Sequence, residues 1–255
     1  MSVDLTTRDD CAVLTLNRPE ALNALSFDIV RRIGAAFDEV AQSKARALIV
    51  TGAGPKAFCA GADIKELRNR DLVAQKRGAE LGQAVFAKLD TLPMPSIAVI
   101  NGFAFGGGLE LALACTFRLA TRNAKMGLPE IKLGLVPGYG GTQRLPRVVG
   151  EARALEMILT GRTVAAEEAE RIGLVNRLVD GDAVEAGMVF AREFTGYSRP
   201  VLAFARDAVK RALDMPIHEG LKIEADLSTL AFQTNDAKEG TAAFEEKRKP
   251  RFSDG

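Results

Sequence analysis

Along the chain, short apolar runs alternate with longer stretches in which apolar residues return every third or fourth position. The opening segment VDLTTRDDCAVLTLNRP holds two alternating runs around a charged turn, with Pro19 closing the second, and predicts a β-hairpin. Ser26 then precedes a segment apolar at helical spacing, which predicts an amphipathic helix with Ser26 as its N-cap. ARALIVTG and SIAVING read as short buried strands. Between them, the loop AGPKAFCAGAD opens a short helix at DIKEL, and a longer helix is expected from about Leu72 to Leu92, ending before PMPS. The second strand runs into a glycine-rich turn and a helix from Gly107 to Cys115. The stretch MGLPEIKLGLVPGYGGTQRLPRVVG is expected to be irregular until a helix begins near Gly140. Beyond Arg162 the pattern is almost all helical: Ala165–Ile172, a brief strand in GLVNRLV, then Asp182–Phe194, Arg199–Leu213 and Ile217–Gln233.

Strand, small-residue loop and helix thus recur, which implies crossover connections and a mainly parallel sheet in an α/β fold. TGYSRP marks a boundary near Gly196–Pro200, and the helices after it are expected to complete the fold or make subunit contacts. Composition narrows the function. Thirty-four basic residues against 33 acidic ones leave a net charge of +1, so no nucleic-acid surface is expected. Neither a signal peptide nor an apolar run of membrane-spanning length is visible. Cys11, Cys59 and Cys115 are odd in number and widely spaced, which suits unpaired thiols in a reducing cytoplasm. His218 is the only histidine, so a zinc site built on several histidines is excluded, and the residue reads as part of a helix surface. GxSxG, GxxxxGK[ST] and GxGxxG are all absent.

Three features carry candidate chemistry. FCAGAD, Phe58 to Asp63, has small residues that let a ligand approach the main chain, although a tight strand-to-helix connection would use the same residues. Gly106 to Gly108 lie where a strand ends and a helix begins, so bare backbone meets N–H groups that the helix leaves unpaired. Such donors suit an oxygen that gains negative charge, or else simply permit close packing. Glu110 follows in the first helical turn and Glu130 lies in the irregular segment. Two glutamates twenty positions apart mean little until a fold brings them together.

NRPEALNALS, KAFCAGADIKEL, INGFAFGGGLELALAC, MGLPEIKLGLVPGYGGTQRLPRVVG and TNDAKEGTAAFEEKRKPRF occur in this order over nearly the whole chain. Together they resemble the crotonase (enoyl-CoA hydratase/isomerase) superfamily, and its enoyl-CoA hydratase branch in particular. The resemblance implies a spiral of repeated ββα units over residues 1–195, with a helical region at 196–255 that builds a homotrimer or a dimer of trimers and covers the CoA site. It implies a two-amide oxyanion hole with donors on Ala60 and Gly107, and a catalytic pair on Glu110 and Glu130. Gly138 matches a glycine close to the reacting water. CoA contacts would fall on Glu20, Ala21 and Leu22, on Ala60, Gly61, Ala62, Asp63 and Ile64, and on Phe244 and Lys247. By charge, Lys56, Lys65 and Lys247 are candidate phosphate partners, although ordinary solvated lysines are the commoner outcome for each. Glu20 stands where some relatives carry lysine, so a main-chain contact is expected there.

The implied reaction is the reversible syn addition of water to a 2-trans-enoyl-CoA, giving 3-hydroxyacyl-CoA, as in fatty acid β-oxidation and related acyl-CoA metabolism. No metal or other cofactor is expected, CoA being part of the substrate. Glu130 is assigned to the α-carbon proton and Glu110 to the water. Crowding of like charge should raise one pKa, while the helix end should lower that of Glu110. The alternatives are a Δ3,Δ2-enoyl-CoA isomerase using the same oxyanion hole and, from a different class, a non-catalytic RNA-binding or scaffold protein using the basic tail. The acyl pocket is expected to be walled by Leu67–Gln83 and the helix after Gly140.

Overall fold

The computed structural model describes residues 2–255. Strands β1 (Val3–Arg8) and β2 (Cys11–Leu16) form the expected hairpin, antiparallel from Val3↔Leu16 to Arg8↔Cys11. Helix α1 (Phe27–Ala41) begins where the Ser26 hydroxyl accepts the Ile29 N–H at 3.1 Å. This satisfies one of the donors that a helix start leaves open.

The chain then makes three passes of one plan. The first is β3 (Ala47–Gly52), β4 (Ala57–Cys59), α2 (Ile64–Leu67) and α3 (Leu72–Thr91). The second is β5 (Ser96–Ile100), β6 (Phe103–Phe105) and α4 (Gly107–Ala114). The third is β7 (Phe117–Thr121), β8 (Lys125–Gly127), a 3-10 turn at Pro129–Leu133, α5 (Gly141–Val149) and α6 (Glu151–Thr160). Short β9 (Val164–Ala165), α7 (Ala166–Arg171), β10 (Arg177–Val179) and α8 (Ala183–Ala191) close the core.

The first strand of each pass joins a six-stranded sheet of order β1-β2-β3-β5-β7-β10, parallel beyond the hairpin. The second strand joins a smaller sheet of order β4-β6-β8-β9, parallel except at β8–β9. The result is a spiral of ββα units, the α/β architecture expected.

Period-two alternation gives the large sheet two apolar faces. Leu14, Leu48, Val50, Ala98 and Ile100 point to one core, while Val13, Ile49, Ile97, Val99 and Leu119 point to another. The second face is covered by Met188, Phe190 and Ala191 of α8 and by Phe194. Beyond it lie α9 (Arg199–Arg211), α10 (Ile217–Phe232) and α11 (Asn235–Glu245). Neither α9 nor α10 buries a residue, in contrast to α8. Arg46 ties this region to the core, reaching the carbonyls of Thr195 and Tyr197 and the Asp254 carboxylate.

The structure departs from the expected elements in four places, the first being β7, a strand of the large sheet that the pattern did not mark. The three-residue strands of the smaller sheet are too short to show an alternation and were not anticipated from the pattern. Gly150, at φ +84°, divides one expected helix into α5 and α6. Helix α11 adds an element that the pattern did not distinguish.

Candidate active site

Helix α4 is buried on every side from Gly107 to Ala114, and the three glycines at its start are bare for three separate reasons. Gly106 adopts φ +50° and ψ −125°, a conformation that disfavours a side chain, and a Cβ there would lie 2.9 Å from Glu130 Oε1. A Cβ on Gly107 would press on Leu25 and Tyr139 at 3.2 and 3.3 Å. A Cβ on Gly108 would lie 2.1 Å from the Cys59 carbonyl oxygen, so α4 rests directly on the backbone of β4. Gly107 is the first residue of the helix, and no carbonyl within the helix can accept its N–H.

One turn on, Glu110 is 2% exposed. Its Oε1 accepts the N–H groups of Tyr139 and Gly141, both at 2.7 Å. Burial pushes its pKa up to about 7, with the Glu130 charge adding to the rise and the two N–H groups opposing it. The expected lowering by the helix end is therefore corrected: loss of water around the carboxylate outweighs the helix dipole. Glu130, in the 3-10 turn, is half-buried, and burial raises its pKa as well. Its Oε2 is shut off from solvent and has no hydrogen-bond partner among the described residues.

Both carboxyl groups line a cavity of about 530 Å³. Ala60, Gly61 and Ala62 form one rim with Gly106, Gly107 and Gly138, while Phe27, Leu67, Ala79, Leu133 and Val136 make an apolar wall. A carbonyl group beside Gly107 would meet a free donor, and the two carboxyl groups could hold a water above an acyl chain in the apolar half.

The whole sequence agrees with this geometry. The model of the family described as enoyl-CoA hydratase/isomerase matches residues 6–255. The chain belongs to that enoyl-CoA hydratase/isomerase family. It is 41% identical to a crotonyl-CoA hydratase of Syntrophomonas wolfei, covering 98% of this chain and 97% of the relative. With a short-chain-enoyl-CoA hydratase of Clostridium acetobutylicum it shares 40% identity, covering 93% and 92%. A crystal structure of an enoyl-CoA hydratase from Bacillus anthracis superposes with a TM-score of 0.95 at 35% identity, over 100% of both chains.

Within this enoyl-CoA hydratase/isomerase fold, one expected donor must move. The Ala60 N–H already donates to the Leu22 carbonyl at 3.0 Å, so it is not free for a ligand. Leu25 and Ala62 form a parallel bridge in which Leu25 donates to the Gly61 oxygen and Asp63 donates to the Leu25 oxygen. The N–H of the bridging residue itself then points away from Leu25, and Ala62 lines the cavity. Its N–H has no acceptor among the described residues. Spacing in the sequence missed this because amides two residues apart share a side in extended chain, whereas Gly61, at φ +108°, breaks the extended run between Ala60 and Ala62.

The other expected residues divide between the cavity and its surroundings. Gly61, Ala62, Ile64 and Gly138 join Ala60 and Gly107 on the cavity wall. The Gly138 carbonyl accepts from Gln83 at 2.9 Å. Glu20, Ala21 and Leu22 lie at the 3-10 turn Pro19–Ala21 and its left-handed cap, outside that wall. Asp63 is paired with Arg18 at 3.0 Å, which holds its carboxyl below the usual range. Phe244 is 86% exposed, and Lys247 follows the end of α11; neither lines the cavity. Of the two segments expected to wall the acyl pocket, Leu67–Gln83 contributes Leu67, Gln75, Gly78 and Ala79, and α5 contributes none. The three cysteines are free and buried, and His218 sits exposed at the start of α10.

Sequence reasoning missed Tyr139 and Gly141, whose amides fix Glu110. The glycine spacing in VPGYGG was the available signal, since a Cβ on Gly141 would lie 3.0 Å from Glu110 Oε1.

Proposed function

We propose that the protein is an enoyl-CoA hydratase, adding water to 2-trans-enoyl-CoA thioesters to give 3-hydroxyacyl-CoA. The carrying observation is the pair of carboxyl groups, both with raised pKa, in one cavity that also opens onto the bare start of α4. The names of the similar hydratases support the same substrate class.

In this mechanism the thioester oxygen accepts the N–H groups of Ala62 and Gly107. The carbonyl draws electrons from the β-carbon, which becomes electrophilic. With Oε1 of Glu110 engaged by the two amides, its second oxygen is left to orient the water. As the water oxygen bonds to the β-carbon, a water proton passes to Glu110 and the double-bond electrons move onto the thioester oxygen. The two N–H groups and the positive end of α4 stabilise that charge; one such donor is worth roughly 3–4 kcal/mol in enzymes. The carbonyl then re-forms as Glu130 delivers a proton to the α-carbon. Proton exchange within the pair restores the starting state. A pKa near 7 lets Glu110 accept and return a proton at neutral pH. This chemistry asks for no metal or redox group, the CoA being part of the substrate.

Residues 1–195 would supply the catalytic spiral, and 196–255 the surfaces for assembly into a trimer or dimer of trimers. Exposed Val209, Leu213, Ile217 and Phe232 on and beside α9 and α10 support that division. Phe244 and Lys247 belong to the same region, so a CoA contact from them would be made beyond the rim of the cavity. The buried, unpaired thiols support a cytoplasmic setting.

The test follows enoyl-thioester ultraviolet absorbance as purified protein meets crotonyl-CoA, with Glu110→Gln and Glu130→Gln alongside. Loss of absorbance with the wild type, abolished in both variants, is expected. Isomerisation of a 3-enoyl-CoA with no hydration would transfer the assignment to the isomerase. Failure on crotonyl, longer, branched and 3-enoyl thioesters would remove both.

A further inference from the structure

Helix α3 forms one wall of the cavity, and three residues on it record how the wall runs. Gly82 faces the Tyr139 ring, the residue whose amide holds Glu110. Ala79 stands beside Gly138, within 3.9 Å of where a Cβ on that glycine would lie. Gly78, one turn nearer the start of α3 than Gly82, faces the Phe27 ring. Four helical residues advance about 6 Å, so the wall passes from the neighbourhood of the carboxyl pair to Phe27 within one turn.

Phe27 and Gly78 border a second cavity as well, of about 340 Å³, lined by Arg31, Arg70, Asp71 and Arg77. The Phe27 ring is thus a partition between two spaces. Two contacts hold it. A Cβ on Gly78 would sit 2.6 Å from Phe27 Cε1, so only glycine lets the ring lie so close to α3. The Arg70 guanidinium carbon stands 4.1 Å from the ring centroid, a cation–π contact, with its Nη2 3.5 Å from that same Cβ position. Arg70 is itself positioned by donating to the Ala74 carbonyl, and its Nε is buried with no partner among the described residues. The Phe27 N–H donates to Glu66 at 2.7 Å, which fixes the backbone beneath the ring.

We propose that the Phe27 ring is the end wall of the acyl pocket and sets the longest acyl chain the site accepts, an inference that rests on the acyl-thioester function proposed above. Removing the ring joins the two cavities. A longer chain then continues along the aliphatic stems of Arg31 and Arg77, whose exposed charged heads stay in water. Each methylene covered there improves binding about four-fold.

The experiment compares wild type with Phe27→Ala and Phe27→Leu by two readouts. One is the ratio of kcat/KM for 2-trans-decenoyl-CoA to that for crotonyl-CoA. The other is the ratio of affinities for decanoyl-CoA and butyryl-CoA by calorimetry, which needs no turnover. Both ratios are expected to rise by about ten-fold or more in Phe27→Ala, and by less in Phe27→Leu. Ratios within about two-fold of wild type, in a variant with native circular dichroism, would overturn the assignment. If Phe27→Ala does not fold, Phe27→Leu decides by the same criterion. A shift in the affinity ratio without turnover of any thioester would leave the end wall standing and remove the hydratase function. Absence of acyl-CoA binding by wild type would remove both.

Discussion

Two turns of the spiral meet at the cavity, and each brings a glutamate in a different setting. At the first turn of α4, Glu110 is enclosed, with one oxygen fixed between two main-chain amides from the next pass of the chain. At the Pro129–Leu133 turn, Glu130 is half-buried and one of its oxygens has no partner among the described residues. The first carboxylate is a structural member and, in the proposed reaction, a chemical one too. The second is held ready for something that the folded chain alone does not provide. Burial raises both pKa values, yet only one group is anchored.

Truncating each side chain should pull this contrast apart. Glu110→Ala and Glu130→Ala are each expected to lower kcat by roughly 10²–10⁴-fold, as loss of a positioned acid or base does. Stability should separate them. Glu110→Ala strands the buried Tyr139 and Gly141 amides, a loss of about 1–3 kcal/mol for each stranded donor, read by urea unfolding. Glu130→Ala should stay within about 0.5 kcal/mol of wild type by the same method, since it strands no partner. Equal destabilisation of the two variants would erase the distinction.

A second contrast lies in the glycines of the site. Gly108→Ala drives a methyl into the Cys59 carbonyl, whereas a Cβ on Gly138 finds nothing nearer than 3.9 Å. The first is expected to cost about 1–3 kcal/mol by the same unfolding assay, and the second far less. Comparable losses would mean that β4 yields to α4 more readily than the packing indicates.

A further contrast concerns pH. A carboxyl whose folded pKa is about 7 binds more protons when folded than when unfolded, in the interval above its ordinary value of 4.5. Its contribution to stability is present below that ordinary value and is lost as pH rises through about 7. Glu110→Gln, which keeps an oxygen for the two amides, should flatten this fall. A variant that keeps the wild-type slope would show that Glu110 is not its source.

Strands β1, β2, β3 and β5 of the large sheet were legible because each apolar run is long enough to mark both a strand and its end, whereas β7 was not named. The smaller sheet was not: AFC and KMG are three-residue strands with no room for a period. Gly106 to Gly108 could be read as a bare backbone, but not as three separate demands, because Glu130, Tyr139 and Cys59 come from different parts of the chain. The choice between Ala60 and Ala62 turned on which way each amide points, and that direction is set by the Leu22 and Leu25 pairings. The rise in the Glu110 pKa follows from total enclosure, a property of the assembled fold that no local helix rule contains.

The two amides on Glu110 also constrain descent. A descendant that gave up this chemistry would still have two buried main-chain donors at Tyr139 and Gly141 to satisfy. Position 110 is therefore slow to become apolar even where the proposed chemistry is lost: an asparagine, a glutamine or a trapped water must take over the carboxylate's place, or the loop that supplies the amides must be rebuilt with it.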